Sequence, residues 1–442
     1  MNPTVTPTAR ATVAMRTTTL AAFLLPALAL WVPSGYSYGA LVLLLGAVCF
    51  APVWLRRKPD RATLGLALLL VGMGCMWFLL SLDTGAARWD KGLKWLLGAV
   101  SLLFVVACPP DPRAFTLGLP IGCTGMGVLA LWQTLGLGME RATGYTNAIQ
   151  WGNVALLLAC LTAVPLVVFW RAHGRPWRML MGLAIGLGLA ASLLSQSRGG
   201  WLALVAVPAL WLLLAWRIRP RLIMRMLAGT AGLLLVLALV LGFTPRFQER
   251  IGLATTEING YLQAGMENTS LGYRLAQYKL VAQLIPQKPW LGWGAHGFVA
   301  EMQRRVDAGE YVPEIMGFPQ VHNDFLDVWV KVGIGGVLLQ AALFAWVLAM
   351  FWPTRARLGR HGEDSFLWRQ VLALRTMGCV VPVAYLVFGM SQPFFNHNSG
   401  ILVFVFYVAV LWSALQGAER GLWPQRMAGG TRAVARSNGW PG

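Results

Sequence analysis

The chain has 442 residues, 57% of them hydrophobic and 12% charged, with a mean hydropathy of +0.60. Soluble domains carry about 25% charged residues, so a water-soluble globule and a disordered chain are both excluded. The net charge of +19 would suit a nucleic-acid binder. However, the basic residues sit in short clusters between long apolar runs, which is how a polytopic membrane protein distributes charge, and no nucleic-acid partner is expected.

A spanning helix needs about 20 predominantly apolar residues. Twelve runs qualify as candidates: 18–33, 37–55, 62–82, 92–108, 115–138, 152–170, 177–195, 199–216, 224–243, 323–351, 370–390 and 399–416. Backbone polar groups in lipid must be satisfied within the segment, so these runs predict helices. The expected fold is an all-α polytopic membrane protein built as one continuous bundle. The first run follows only two arginines and has no small-residue cleavage site, so it reads as a retained span.

Lysine and arginine set the orientation. With the N-terminus inside, the cytoplasmic segments hold 22 basic residues, and the short outer loops and span rims hold Arg88, Lys91, Lys94, Arg141 and Arg198. This bias predicts cytoplasmic termini and an outer location for the long loop 244–322. The expected division is residues 1–243 with nine spans, 244–322 as the outer loop, 323–416 with three spans, and 417–442 as a cytoplasmic tail whose Gly, Arg and Ala content reads as disordered. Within the loop, 246–264 and 271–285 read as amphipathic helices. Leu271, Leu275, Tyr278 and Ala282 fall at helical spacing on a face suited to the membrane surface.

The six cysteines lie in or beside apolar runs and form no CxxC pair, so buried free thiols are expected and neither a zinc site nor a disulfide framework. HExxH, P-loop and GxSxG motifs are absent, which leaves metalloprotease, ATPase and serine-hydrolase readings without their parts.

Three polar clusters on the outer side need explaining. Ser195-Gln196-Ser197-Arg198-Gly199-Gly200-Trp201 turns between two spans. Arg198 there is suited to clamp a phosphate, and the two glycines admit close approach; the alternative is an arginine reaching for lipid headgroups. Gly272-Tyr273-Arg274-Leu275-Ala276-Gln277-Tyr278-Lys279 places Arg274 and Tyr278 as i,i+4 neighbours, either as a second half of an anion clamp or as a solvated helix face. Phe318-Pro319-Gln320-Val321-His322-Asn323-Asp324-Phe325-Leu326-Asp327 closes the loop. His322 can accept a proton near neutral pH, Asn323 or Asp324 can cap the following helix, and Asp324 or Asp327 could orient the ring. Two further clusters carry less: His296 in Gly292–Phe298 reads as structural, and His397 in Ser391–Asn398 as a candidate sugar contact that no neighbouring motif supports.

Taken together, the twelve apolar runs, the Arg-Gly-Gly turn, Gly-Tyr-Arg in the long loop, Pro-Trp-Leu-Gly-Trp-Gly and the closing His-Asn-Asp-Phe-Leu resemble the O-antigen ligase/polymerase superfamily. The motifs cover roughly 150–400. The resemblance implies a GT-C-type membrane glycosyltransferase in the bacterial inner membrane, with its active site on the periplasmic face. The implied donor is a saccharide on undecaprenyl diphosphate and the acceptor of a ligase is lipid A–core, with membrane lipids around the bundle and no metal or other cofactor required. It also implies His322 as general base and Arg198 and Arg274 as the diphosphate-binding pair, with Tyr273, Tyr278, Asn323, Asp324 and Asp327 as supporting candidates. A ligase is favoured over a polymerase because the second outer loop, 139–151, is short. A transporter or flippase for an anionic solute is the reading from another class; it fits poorly because the polar residues gather at one face and not at the midplane.

Overall fold

The computed structural model describes residues 9–83, 89–218, 270–362 and 365–423, and these residues form helices and connecting turns with no strand among them. The helices are α1 (Ala9–Leu28), α2 (Gly35–Cys49), α3 (Ala51–Trp54), α4 (Arg61–Asp83), α5 (Asp90–Ala107), α6 (Pro112–Leu131), α7 (Ala148–Val168), α8 (Arg175–Leu194), α9 (Ala203–Ile218), α10 (Ser270–Leu284), α11 (Ala295–Asp307), α12 (Asp324–Val332), α13 (Ile334–Phe351), α14 (Arg355–Gly359), α15 (Phe366–Gly389) and α16 (Asn398–Glu419). Nine helical segments among the described residues are long and apolar enough to cross a membrane. α2 is apolar but has only 15 residues, and α5 carries Asp90, Lys91 and Lys94 in its opening turns. The candidate run 224–243 and the proposed helix 246–264 lie outside the described residues.

The bundle is organised around α16, which is buried along its length, with α7 and α15 nearly as enclosed. A helix apolar on every side needs such a place. Aromatic rings fill the space at its N-terminal end, where Tyr385 packs edge-on to Phe394 and Phe404, and Trp95 to Phe395. α1 crosses α6 closely enough that a Cβ at Gly118 or Gly122 would strike the Phe23 or Pro26 carbonyl; small residues of this kind let membrane helices approach. Of the cysteines, Cys108, Cys123, Cys160 and Cys379 are buried as expected, whereas Cys49 and Cys75 are exposed on α2 and α4.

Two boundaries differ from the apolar runs. α1 starts at Ala9 and carries Arg10 and Arg16 within it, because basic side chains do not end a helix whose backbone can continue. The run 323–351 is broken into α12 and α13 at Gly333, whose φ of +86° only glycine adopts readily. Residues Pro289–Gly294 wrap this break. Ile334 N–H donates to the Pro289 carbonyl at 2.9 Å, and Trp293 and Gly294 N–H cap the Val330 and Lys331 carbonyls at 2.7 and 2.9 Å. Free carbonyls at a helix C-terminus need such donors. Gly333→Ala is therefore expected to destabilise the protein by about 1–3 kcal/mol, read as a lowered Tm in detergent.

The loop residues form a small second core. Ala276, Leu280, Val281 and Leu284 of α10 pack with Phe298 and Met302 of α11 and with Tyr311, Ile315, Val321 and Val330. The buried stripe of α10 is thus set by 276, 280 and 284. Of the stripe read from the sequence, Leu275 and Tyr278 are half-buried and Ala282 is exposed. The packed face rests on the loop's own side chains and is a different face from the stripe of Leu275, Tyr278 and Ala282.

Candidate active site

Four segments converge at one end of the bundle. The first is the tight turn between α8 and α9. Ser195 Oγ donates to the Ser192 carbonyl at 2.6 Å and to Ser197 Oγ at 2.9 Å, and Ser197 Oγ donates to the Ala148 carbonyl at 2.8 Å. Arg141 Nε donates to the Ser195 carbonyl at 3.0 Å, and Gln196 Nε2 to the Glu140 carbonyl at 2.9 Å. The short loop before α7 therefore braces the turn from outside. Gln196 has a φ of +56°, a left-handed conformation that such bracing must hold. Arg198 opens the 3-10 turn Arg198–Leu202 with its side chain exposed, and Gly199 packs directly on Ser391.

The second segment is α10, which carries Arg274, Gln277 and Tyr278. Arg274 is half-buried. Burial lowers the pKa of its guanidinium from the ordinary arginine value, and the positive charge of Arg198 adds to that while the Tyr278 phenol opposes it. The two arginines are thus close enough to repel, an arrangement that an anion between them would relieve.

The third segment is the end of the loop. Tyr278 O–H donates to the His322 backbone carbonyl at 3.0 Å, and His322 Nδ1 lies 3.2 Å from Gln277 Oε1. The ring is in edge contact with Phe318, with centroids 5.4 Å apart, and Phe318 in turn packs on Tyr273 at 5.7 Å. Burial pushes the His322 pKa down to about 4; the positive charge of Arg274 contributes and Asp327 opposes. The imidazole is therefore neutral at neutral pH and able to accept a proton.

The fourth segment, after α15, closes the site. Tyr278 O–H also lies 3.5 Å from the Met390 carbonyl, and Asn396 Nδ2 donates to Asp327 Oδ2 at 3.1 Å. His397 is paired with Gln392 at 2.8 Å, and burial, with help from Lys91, lowers its pKa to about 4. His296 lies at the start of α11, where its backbone N–H donates to Asp83 at 2.7 Å.

The carboxylates near His322 divide their work. Asn323 caps α12, its side chain accepting from Phe325 and Leu326 N–H at 3.0 and 3.1 Å. Asp324 is buried and accepts from the backbone N–H groups of Phe394 and Phe395, which ties α12 to the fourth segment. Asp327 Oδ1 accepts from Val321 N–H at 2.8 Å and from Lys331 Nζ at 2.6 Å, so it holds the residue immediately before His322. Lys331 and Asp327 are 8% and 4% exposed. Removing one member of such a pair leaves an uncompensated buried charge. Asp327→Ala should thus lower stability by about 3–5 kcal/mol, and adding Lys331→Met should recover much of it in a thermal melt.

Sequence reading singled out Arg198, Arg274 and His322, and the structure brings their segments together. It passed over Gln277, Asn396 and Ser391, which become meaningful only once α10 and the fourth segment meet. A Haemophilus influenzae protein described as an uncharacterized protein is 27% identical over 378 residues, 84% of this chain and 91% of that protein. Residues 183–341, which include Arg198, Arg274 and His322, match the family model described as O-antigen ligase.

Proposed function

We propose that the protein is an O-antigen ligase. It transfers O-antigen polysaccharide from undecaprenyl diphosphate to a sugar hydroxyl of lipid A–core at the periplasmic face of the bacterial inner membrane. The bundle would cross the membrane twelve times in a GT-C-like arrangement, with both termini in the cytoplasm and 244–322 outside. The observation that carries this reading is the meeting of the three motifs: Tyr278, one turn from Arg274 on α10, donates to the His322 carbonyl at 3.0 Å and lies 3.5 Å from the carbonyl of Met390, next to the Ser391 on which Gly199 packs.

In this mechanism the acceptor oxygen attacks the anomeric carbon and its proton passes to His322. The bond from that carbon to the diphosphate breaks, and the diphosphate leaves with the electron pair. Configuration inverts because base and leaving group stand on opposite sides of the sugar. Arg198 and Arg274 neutralise the charge that grows on the diphosphate, the role that preorganised cationic donors fill best. The bound diphosphate also offsets the charge of Arg274, so His322 becomes a stronger base once the donor is in place.

The test uses the purified protein with lipid-linked glycan and a lipid A–core acceptor. Covalent transfer is the expected result. Movement of the lipid-linked glycan across a vesicle membrane without transfer would point to a flippase. In cells, deleting the gene should remove the long lipopolysaccharide ladder while carrier-linked polymer accumulates; loss of the polymer itself would point to a polymerase.

A further inference from the structure

We propose that Gln277 is a positioning residue that selects which nitrogen of His322 receives the proton: Nδ1 stays protonated against the Gln277 carbonyl, and Nε2 carries the reactive lone pair. The inference rests on the reading of His322 as the base. Gln277 is fully buried on α10, where both atoms of an amide need partners. Its Nε2 donates to the Phe318 carbonyl at 2.6 Å. A carbonyl can only accept, so this contact fixes the orientation of the amide. Oε1 is then the atom 3.2 Å from His322 Nδ1, and as an acceptor it requires Nδ1 to bear the hydrogen. A neutral imidazole has one N–H, so Nε2 is left as the acceptor.

The backbone around the ring is held by the neighbours of Gln277. Tyr278, the next residue on α10, bonds the His322 carbonyl, and Phe318, whose carbonyl orients the amide, lays its ring against the imidazole. One helical turn thus positions both the ring and its chain. An amide performs this task without charging the ring. A carboxylate at 277 would favour the imidazolium and would face the Phe318 carbonyl as a second acceptor. The other charged or titratable groups acting on His322 are Arg274 and Asp327, with Tyr278 acting on Arg274.

The test reads the tautomer directly. Full-length protein labelled with 15N-histidine, with His322 signals assigned by their loss in His322→Ala, should show protonated Nδ1 and unprotonated Nε2 at pH 7.5. Gln277→Leu should mix or reverse the pattern and lower kcat about tenfold, with little change in donor KM. Gln277→Glu should move the acid limb of kcat/KM upward by at least about one pH unit. A wild-type ring protonated on Nε2, or Gln277→Leu with unchanged tautomer and kcat, overturns the proposal. If His322→Ala retains full transfer, the base assignment fails instead, and the tautomer measurement tells the two failures apart.

Discussion

Replacing His322 with alanine is expected to lower transfer by about a hundredfold to ten-thousandfold, the range general-base groups supply, while the protein remains folded in detergent. The ring is half-buried, with Phe318 against its edge and Gln277 as its hydrogen-bond partner, so its loss should cost about 1–3 kcal/mol, chiefly through the Gln277 carbonyl left unpaired, without unfolding the protein. A variant with near-normal turnover sinks the base assignment. The wild-type pH profile provides a second check. A histidine whose pKa lies near 4 in the free protein is already neutral at pH 6, so kcat/KM should hold until the pH falls well below the ordinary histidine range near 6.5. The limb in kcat reports the donor complex, where the diphosphate offsets Arg274, and should lie at higher pH than the limb in kcat/KM. Coincident limbs near 6.5 would show that neither burial nor Arg274 acts on the base.

Much of the architecture was legible in the sequence because lipid imposes a simple rule: a long apolar run must be a helix. Eleven of the twelve runs overlie helices in the described residues, and the twelfth lies outside them. Hydropathy did not reveal the break at Gly333, since it registers apolar side chains and is blind to a backbone φ. The spacing of apolar residues on α10 also gave no sign that its deeply buried positions include Gln277, a polar residue admitted because Phe318 and His322 supply its partners. The site was legible as separate motifs only. Arg198, Arg274 and His322 stand out as polar residues in an apolar chain, but the sequence holds no signal that Ser391 would pack on Gly199 or that Asn396 would reach Asp327.

Arg198→Ala and Arg274→Ala should each cost at least about 2 kcal/mol of transition-state stabilisation, roughly a thirtyfold loss in kcat/KM. Lysine should rescue either position poorly, because a single ammonium cannot reproduce the bidentate contact a guanidinium makes with phosphate. The two positions should differ in a second respect. Arg274 is half-buried beside another cation and depresses the basicity of His322, whereas Arg198 is exposed. Removing Arg274 relieves a repulsion in the empty site, so its loss should leave thermal stability unchanged or raised while transfer falls. It should also shift the acid limb of the residual kcat/KM toward higher pH, since one of the influences holding His322 down is gone. The limb should still lie below the ordinary histidine value, because burial, the larger cause, remains. Arg198→Ala should weaken transfer without moving the limb. Full activity in both lysine variants would show that the pair does not grip a diphosphate, and an unmoved limb in Arg274→Ala would separate the arginine from the base.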